Sequence, residues 1–150
     1  MISGEFIVTD AKDQTELILP NQFTTLGLQQ VLASAFWATP ALWLMGMCQH
    51  NPGDNLALTS IGEPTLGVNG YARQDIRLDK THWPIMGNVN GESYMESLAV
   101  VFPASAAWDK QVNRLFITDG TYVIAVSSAF PAGLLTISAP STQKYRLYFR

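Results

Sequence analysis

From Pro40 onward the chain breaks into short apolar, β-branched runs separated by Gly, Pro, Asn and Asp, and this rhythm restricts it to a small antiparallel β scaffold. Strands are expected at residues 41–48, 57–61, 71–78, 96–102, 114–118, 121–126, 134–137 and 145–149. Short strands at such spacing suggest a sandwich or barrel. Asn51-Pro52-Gly53-Asp54-Asn55, Asn88-Val89-Asn90-Gly91 and Phe130-Pro131-Ala132-Gly133 read as loops. Asp119-Gly120 favours a two-residue hairpin turn. The aromatic anchors Tyr71, Trp83, Phe102 and Trp108 concentrate between residues 63 and 108, a stretch rich in packing chemistry and poor in catalytic chemistry.

Before Pro40 the texture differs. Phe6-Ile7-Val8 and Leu17-Ile18-Leu19 read as two short strands joined by a polar turn, or as an arm, over residues 1–20, that pairs with another chain. Thr24 or Thr25 caps the one convincing helix, whose apolar positions Leu26, Leu28, Val31, Leu32, Ala35 and Phe36 recur at three- and four-residue spacing. Gly27 weakens that helix by roughly 1 kcal/mol relative to Ala, so packing must hold it. The expected fold is mainly β, an antiparallel sandwich over residues 21–150 with one short N-terminal helix, in a single domain overall.

Charged residues make up 14% of the chain, against roughly 25% in ordinary domains, while 47% is hydrophobic. Part of the surface is therefore expected to be hidden against a partner. Net charge is −3 and the Lys and Arg are scattered, with Lys144, Arg146 and Arg150 the only dense group, so nucleic acid is not an expected partner. Residues 31–48 carry no charge and reach the lower length limit for a membrane helix. Pro40 interrupts them, and no Lys or Arg between Lys12 and Arg73 anchors either end, so a helix end, a turn and a buried strand are expected instead. Met1-Ile2-Ser3-Gly4-Glu5 lacks the basic start of a signal peptide. The lone Cys48 excludes an intrachain disulfide framework and fits assembly in a reducing cytoplasm.

Candidate sites were weighed by residue type and spacing. Cys48, His50 and Asp54 hold the groups of a nucleophile site, but a buried thiol and a turn histidine are the preferred reading. His50, His82 and Cys48 lack the spacing of zinc ligands, and no cofactor pattern is present. Asp75, Asp79, Glu92 and Glu96 supply carboxylates for a glycosidase pair, yet Asp75 and Asp79 alternate with Ile76 and Leu78 like the wet face of a strand. Arg73 shares a strand face with Tyr71 and Asp75 and is expected to pair with a carboxylate of this chain or a neighbour. Trp43 reads as core; Trp83, in a loop, is the better candidate for a surface contact, although burial beneath that loop is the preferred reading.

With these residues in place, the chain resembles small virion proteins of tailed bacteriophages, of the capsid cement (decoration), head-fibre or tail-fibre type. The resemblance runs from about Asn21 to the C-terminus. It rests on the helix after Asn21, the apolar strand at Leu42 to Met47, Glu63 before Gly70-Tyr71-Ala72-Arg73-Gln74, Trp83, Phe102-Pro103-Ala104 with Trp108, Ile117-Thr118-Asp119-Gly120 and an apolar C-terminal strand. It implies a jelly-roll β-sandwich, often a homotrimer on the virion surface, without enzymatic activity. The glycine usual after the second Trp is Asp109 here, so loop detail does not carry over.

The resulting expectation is a non-enzymatic cement protein on the capsid, made in the host cytoplasm, whose partners are its own copies in a homotrimer and the major capsid protein. Tyr71, Arg73, Trp83, Trp108 and the apolar Phe6, Ile7 and Val8 are the candidate structural or interface residues. The alternative is a fibre module that binds a host surface glycan through Trp83, Tyr94 and Trp108.

Overall fold

The computed structural model describes residues 2–9, 15–37, 40–53 and 56–149. In chain order they form β1 (Ile2–Thr9), β2 (Glu16–Phe23), α1 (Thr25–Trp37), β3 (Leu44–Cys48), β4 (Gln74–Asp75), β5 (Ile85–Val89), β6 (Glu92–Glu96), β7 (Val100–Phe102), β8 (Arg114–Thr118), β9 (Val123–Ser127) and β10 (Ser141–Phe149). The protein is mainly β, with two antiparallel sheets and one α-helix among the described residues.

The first sheet places β1 between β2 and β10; β10 also pairs with β7 through Ser141 to Gln143 and with β6 through Arg146 to Phe149, and β5 closes the edge beyond β6. The second sheet runs β2, β9, β8, β3, β4. Strand β2 belongs to both. Its residues 16–20 pair with β1 and residues 21–23 with β9. The changeover falls at Pro20, which has no N–H to give either ladder, while its carbonyl accepts from Ser128 N at 2.9 Å.

Inward residues of both sheets meet in one core. Phe6, Tyr145 and Leu147 of the first sheet pack with Met45, Met47, Leu115 and Ile117 of the second. The Phe6 and Tyr145 rings lie 4.6 Å apart, and Trp83 stands edge-on to both Tyr145 and Trp43. A smaller cluster of Cys48, Ile61, Phe116, Val123 and Val126 completes the packing, with Leu58 against it.

The helix begins as expected, with Thr24 Oγ1 accepting from Gly27 N at 3.1 Å. It does not bury a single apolar stripe. Val31 is covered, but Leu28 and Leu32 are 37% and 44% exposed. What fastens α1 is Gln30, whose side chain accepts from Trp43 Nε1 at 2.7 Å and donates to Asp119 Oδ2 at 3.0 Å.

Several expected strands take other forms. Residues 71–78 keep only the two-residue β4, because Ile76 N and Leu78 N donate to Trp43 O and Ala41 O outside a regular ladder. Residues 57–61 hold one bridge, Ala57 to Tyr122, and a 3-10 turn, and residues 134–137 one bridge, Leu135 to Val112. Residues 96–102 split at Ser97, which steps from β6 to β7 while holding Tyr145 by backbone and hydroxyl. Asn88-Val89-Asn90-Gly91, read as a loop, is the tip of the hairpin joining β5 and β6. Asn90 (φ 52°) and Gly91 (φ 82°) form its two-residue turn, since both central positions of such a turn need positive φ. The Asp119-Gly120 connection is longer than a two-residue turn, as the last register pair is Thr118 with Val123.

Candidate functional site

Loop residues Glu63 to Arg73 lie between the 3-10 turn after Ala57 and β4, and they dock against the loop after β7. Glu63 is the centre of this cluster. Arg73 grips its carboxylate with two parallel bonds, Nε to Oε1 at 2.8 Å and Nη2 to Oε2 at 2.6 Å. The Tyr71 hydroxyl donates to the same Oε1 at 2.8 Å and accepts from Met47 N of β3 at 3.0 Å. Burial, and the carboxylate beside it, push the Tyr71 phenol far above its ordinary value, so it remains a donor. The Arg73 guanidinium is raised further by its bonds to Glu63 and also lies 5.9 Å from the centre of the Phe116 ring.

The approach is close because β3 has a glycine there. A Cβ on Gly46 would lie 2.4 Å from the Phe116 ring and 2.9 Å from the Tyr71 hydroxyl. On the other side Tyr71 meets Trp108 edge-on at 4.7 Å and stacks with Phe102 at 6.5 Å. Asp109 accepts from Thr65 N at 2.9 Å and Thr65 Oγ1 at 2.6 Å, latching the two loops together. Thus Glu63, Tyr71, Arg73, Phe102 and Trp108, spread over the sequence, form one cluster.

Arg73 pairs within its own chain, with Glu63 and not with Asp75, which is held by Arg77. Trp83 takes the buried alternative, and the surface contact weighed for it is not made. It is 2% exposed and donates Nε1 to Ile76 O at 2.9 Å, because residues 79–83 turn back and fold the indole under themselves. Trp108 is also buried, its Nε1 donating to Pro103 O. Phe6, in the core against Tyr145, and Ile7 are both fully buried and not offered to a partner; Val8 is half-buried. Tyr94 is half-buried beside Tyr148, with Arg146 over its ring at 4.7 Å.

The residue groups of the catalytic readings are placed otherwise engaged. Burial pushes the Cys48 thiol up to about 12, and Arg114 only partly offsets this, so the sulfur is protonated at neutral pH. His50 is exposed, and Asp54 lies outside the described residues. Asp79 accepts from the backbone of Thr81 and His82 and lies 2.7 Å from His82 Nδ1. Among the described residues no three His, Cys, Asp or Glu side chains are placed to hold a metal ion, and no helix is long and apolar enough to cross a membrane.

A second charged cluster was not legible as such. Arg146 on β10 bonds Glu96 through Nη2 at 2.6 Å and Glu5 through Nη1 at 3.0 Å, and Lys144 reaches Glu96 and Glu16. The alternation of Lys144 and Arg146 marks one face of a strand, but only the pairing register brings Glu5 and Glu96 opposite. Burial by itself would raise the Glu96 carboxyl; the bonds from Arg146 and Lys144 outweigh it and hold it below the usual range.

With these charges engaged inside the chain, the exposed apolar residues stand out. Residues 17 to 53 contain no Asp, Glu, Lys or Arg. Within them Leu28, Leu32 and Leu42 are 37%, 44% and 47% exposed and Trp37 is 77% exposed. Leu26, Leu32, Ala33 and Trp37 line a groove of about 570 Å³ along α1. Isolated exposed apolar residues are ordinary, whereas Leu32 and Trp37 share this one groove with Leu26 and Ala33. No family model, curated protein or solved structure matches the chain.

Glu63→Ala strands a guanidinium and a buried phenol together and is expected to lower unfolding free energy by roughly 3 kcal/mol in urea titrations; a change near zero would show the cluster to be ornamental. A carboxyl lowered by folding contributes stability that is complete above its unfolded pKa and is lost as pH falls through the native value. Unfolding free energy should therefore drop between about pH 5 and pH 2, and Glu96→Gln should flatten the slope. An unchanged slope in the variant would remove Glu96 from this account.

Proposed function

We propose that this chain is a structural virion protein of a tailed bacteriophage, a capsid cement or decoration protein that binds across neighbouring shell subunits as a homotrimer. On this reading the two antiparallel sheets are the halves of a jelly-roll sandwich. The carrying observation is the groove along α1, where Leu32 and Trp37 are exposed beside Leu26 and Ala33 on a chain whose ion pairs are made internally. Such a face is covered at low cost, because α1 itself carries no charged side chain to be stripped of water, and the nearby Asp119 is already bonded to Gln30. Repetition of that contact over a shell multiplies a modest affinity through avidity. The resemblance noted from the order of sequence motifs supports the virion setting, and the gathering of Glu63, Tyr71, Arg73, Phe102 and Trp108 into one cluster gives that order a physical basis as packing.

The fibre reading draws less support. Two of the three aromatics that motivated glycan binding, Trp83 and Trp108, are core residues with their indole N–H groups bonded to backbone.

Light scattering of the purified chain is expected to give three times the 16.5 kDa chain mass, and the protein is expected to rebind shells stripped of it. Leu32→Glu should weaken that rebinding at least tenfold while leaving the thermal transition in place. A strict monomer that ignores shells would refute the proposal.

A further inference from the structure

Among the described residues, strand β5 is the outer strand of the first sheet and pairs on one side only, with β6. Its register fixes which backbone groups are left over. Val89 and Glu92 flank the two-residue Asn90-Gly91 turn, and the pair flanking such a turn exchanges both backbone bonds. Bonded pairs alternate along an antiparallel ladder, so Ile85, Gly87 and Val89 turn their N–H and C=O towards β6. Met86 and Asn88 turn theirs away from the sheet.

Natural edges are guarded by charge, proline, bulges or brevity. Strand β5 has none of these. Ile85-Met86-Gly87-Asn88-Val89 contains no charge and no proline, pairs with β6 without a bulge, and is longer than the other short edges, the two-residue β4 and the three-residue β7. Its side chains Ile85, Met86 and Val89 are 41%, 77% and 43% exposed.

We propose that β5 is a self-pairing edge, which joins β5 of a second copy antiparallel across a two-fold axis and makes one continuous sheet from two chains. The spacing of the free groups suits this occupant. With Gly87 facing Gly87 on the axis, Met86 of each copy meets Asn88 of the other, and each such pair exchanges two backbone bonds. The axis then falls on a non-bonded pair, where Cα atoms approach to about 4.5 Å, and glycine suits so close a position. Gly87 is also held flat under Tyr94, since a Cβ there would lie 2.6 Å from that ring. Although the chain carries net charge −3, this edge brings no like charges of its own strand together. A five-residue contact is small by the standard of stable interfaces, so pairing is weak and concentration-dependent in solution. It acts alongside the proposed trimer and does not depend on it.

Met86→Pro deletes an outward N–H and leaves the bonds to β6 untouched. Met86→Lys adds the guarding charge at a side chain that is 77% exposed and needed by no packing. Light scattering against concentration is expected to show the wild-type mass rising to twice that of either variant if the variants are monomers, and to at least twice if they are trimers, which carry three such edges. The variants' mass therefore tests the trimer, and the ratio tests the edge. Equal masses for wild type and both variants at every concentration, or a doubled mass that Met86→Lys leaves intact, would overturn the proposal.

Discussion

The Glu63 carboxylate is the point on which this structure turns. One side chain satisfies a guanidinium with two bonds and a buried phenol with a third, and the phenol in turn caps a backbone N–H of β3. The loop that carries Glu63, Tyr71 and Arg73 has almost no regular structure of its own, so these bonds do the work that a ladder does elsewhere. They position Tyr71 to receive Trp108 and Phe102, and they require Gly46 beneath, because any side chain at that position would collide with Phe116. Packing around the second sheet thus depends on one anion placed between two donors.

A chain with few charges uses them in the same way elsewhere. Arg146 draws Glu5 and Glu96 across three strands of the first sheet, and Asp75 and Asp79 are taken up by Arg77 and His82. Charge engaged inside one chain contributes little to partner selection. The surface of α1 and the edge at β5 expose Leu, Trp, Ile and Met, and the assembly proposed there would rest on shape, apolar area and backbone bonding. That combination suits permanent assembly better than transient, electrostatically steered encounter.

The sequence showed its texture more clearly than its geometry. Arg114 to Thr118 is legible because a β-branched and aromatic run lies between clear breaks, and the helix is legible from Thr24 and the spacing that follows it. The hairpin at Asn90-Gly91 was obscured because Asn88 and Gly87 dilute the apolar signal of β5, although an Asn-Gly pair is the strongest local mark of a two-residue turn. Trp83 was legible only as a choice between surface contact and burial beneath its loop, because His82 and Pro84 describe the loop while nothing local reveals that it folds the indole inward onto Ile76 O. Arg73 was legible as a pairing residue from its chemistry, but its partner ten positions upstream depended on the path of an irregular loop. Glu96 with Arg146 depended wholly on strand register, which no local pattern encodes.

If charge holds the chain together and uncharged surface joins it to its copies, the two must respond differently to salt. The direct measurement is the mass of the assembled protein by light scattering as salt is raised from about 0.1 M to about 1 M, where the screening length falls from roughly 10 Å to roughly 3 Å. The account predicts a mass that holds or grows. An assembly that dissociates as salt rises would contradict it, since charges between copies would then be what joins them.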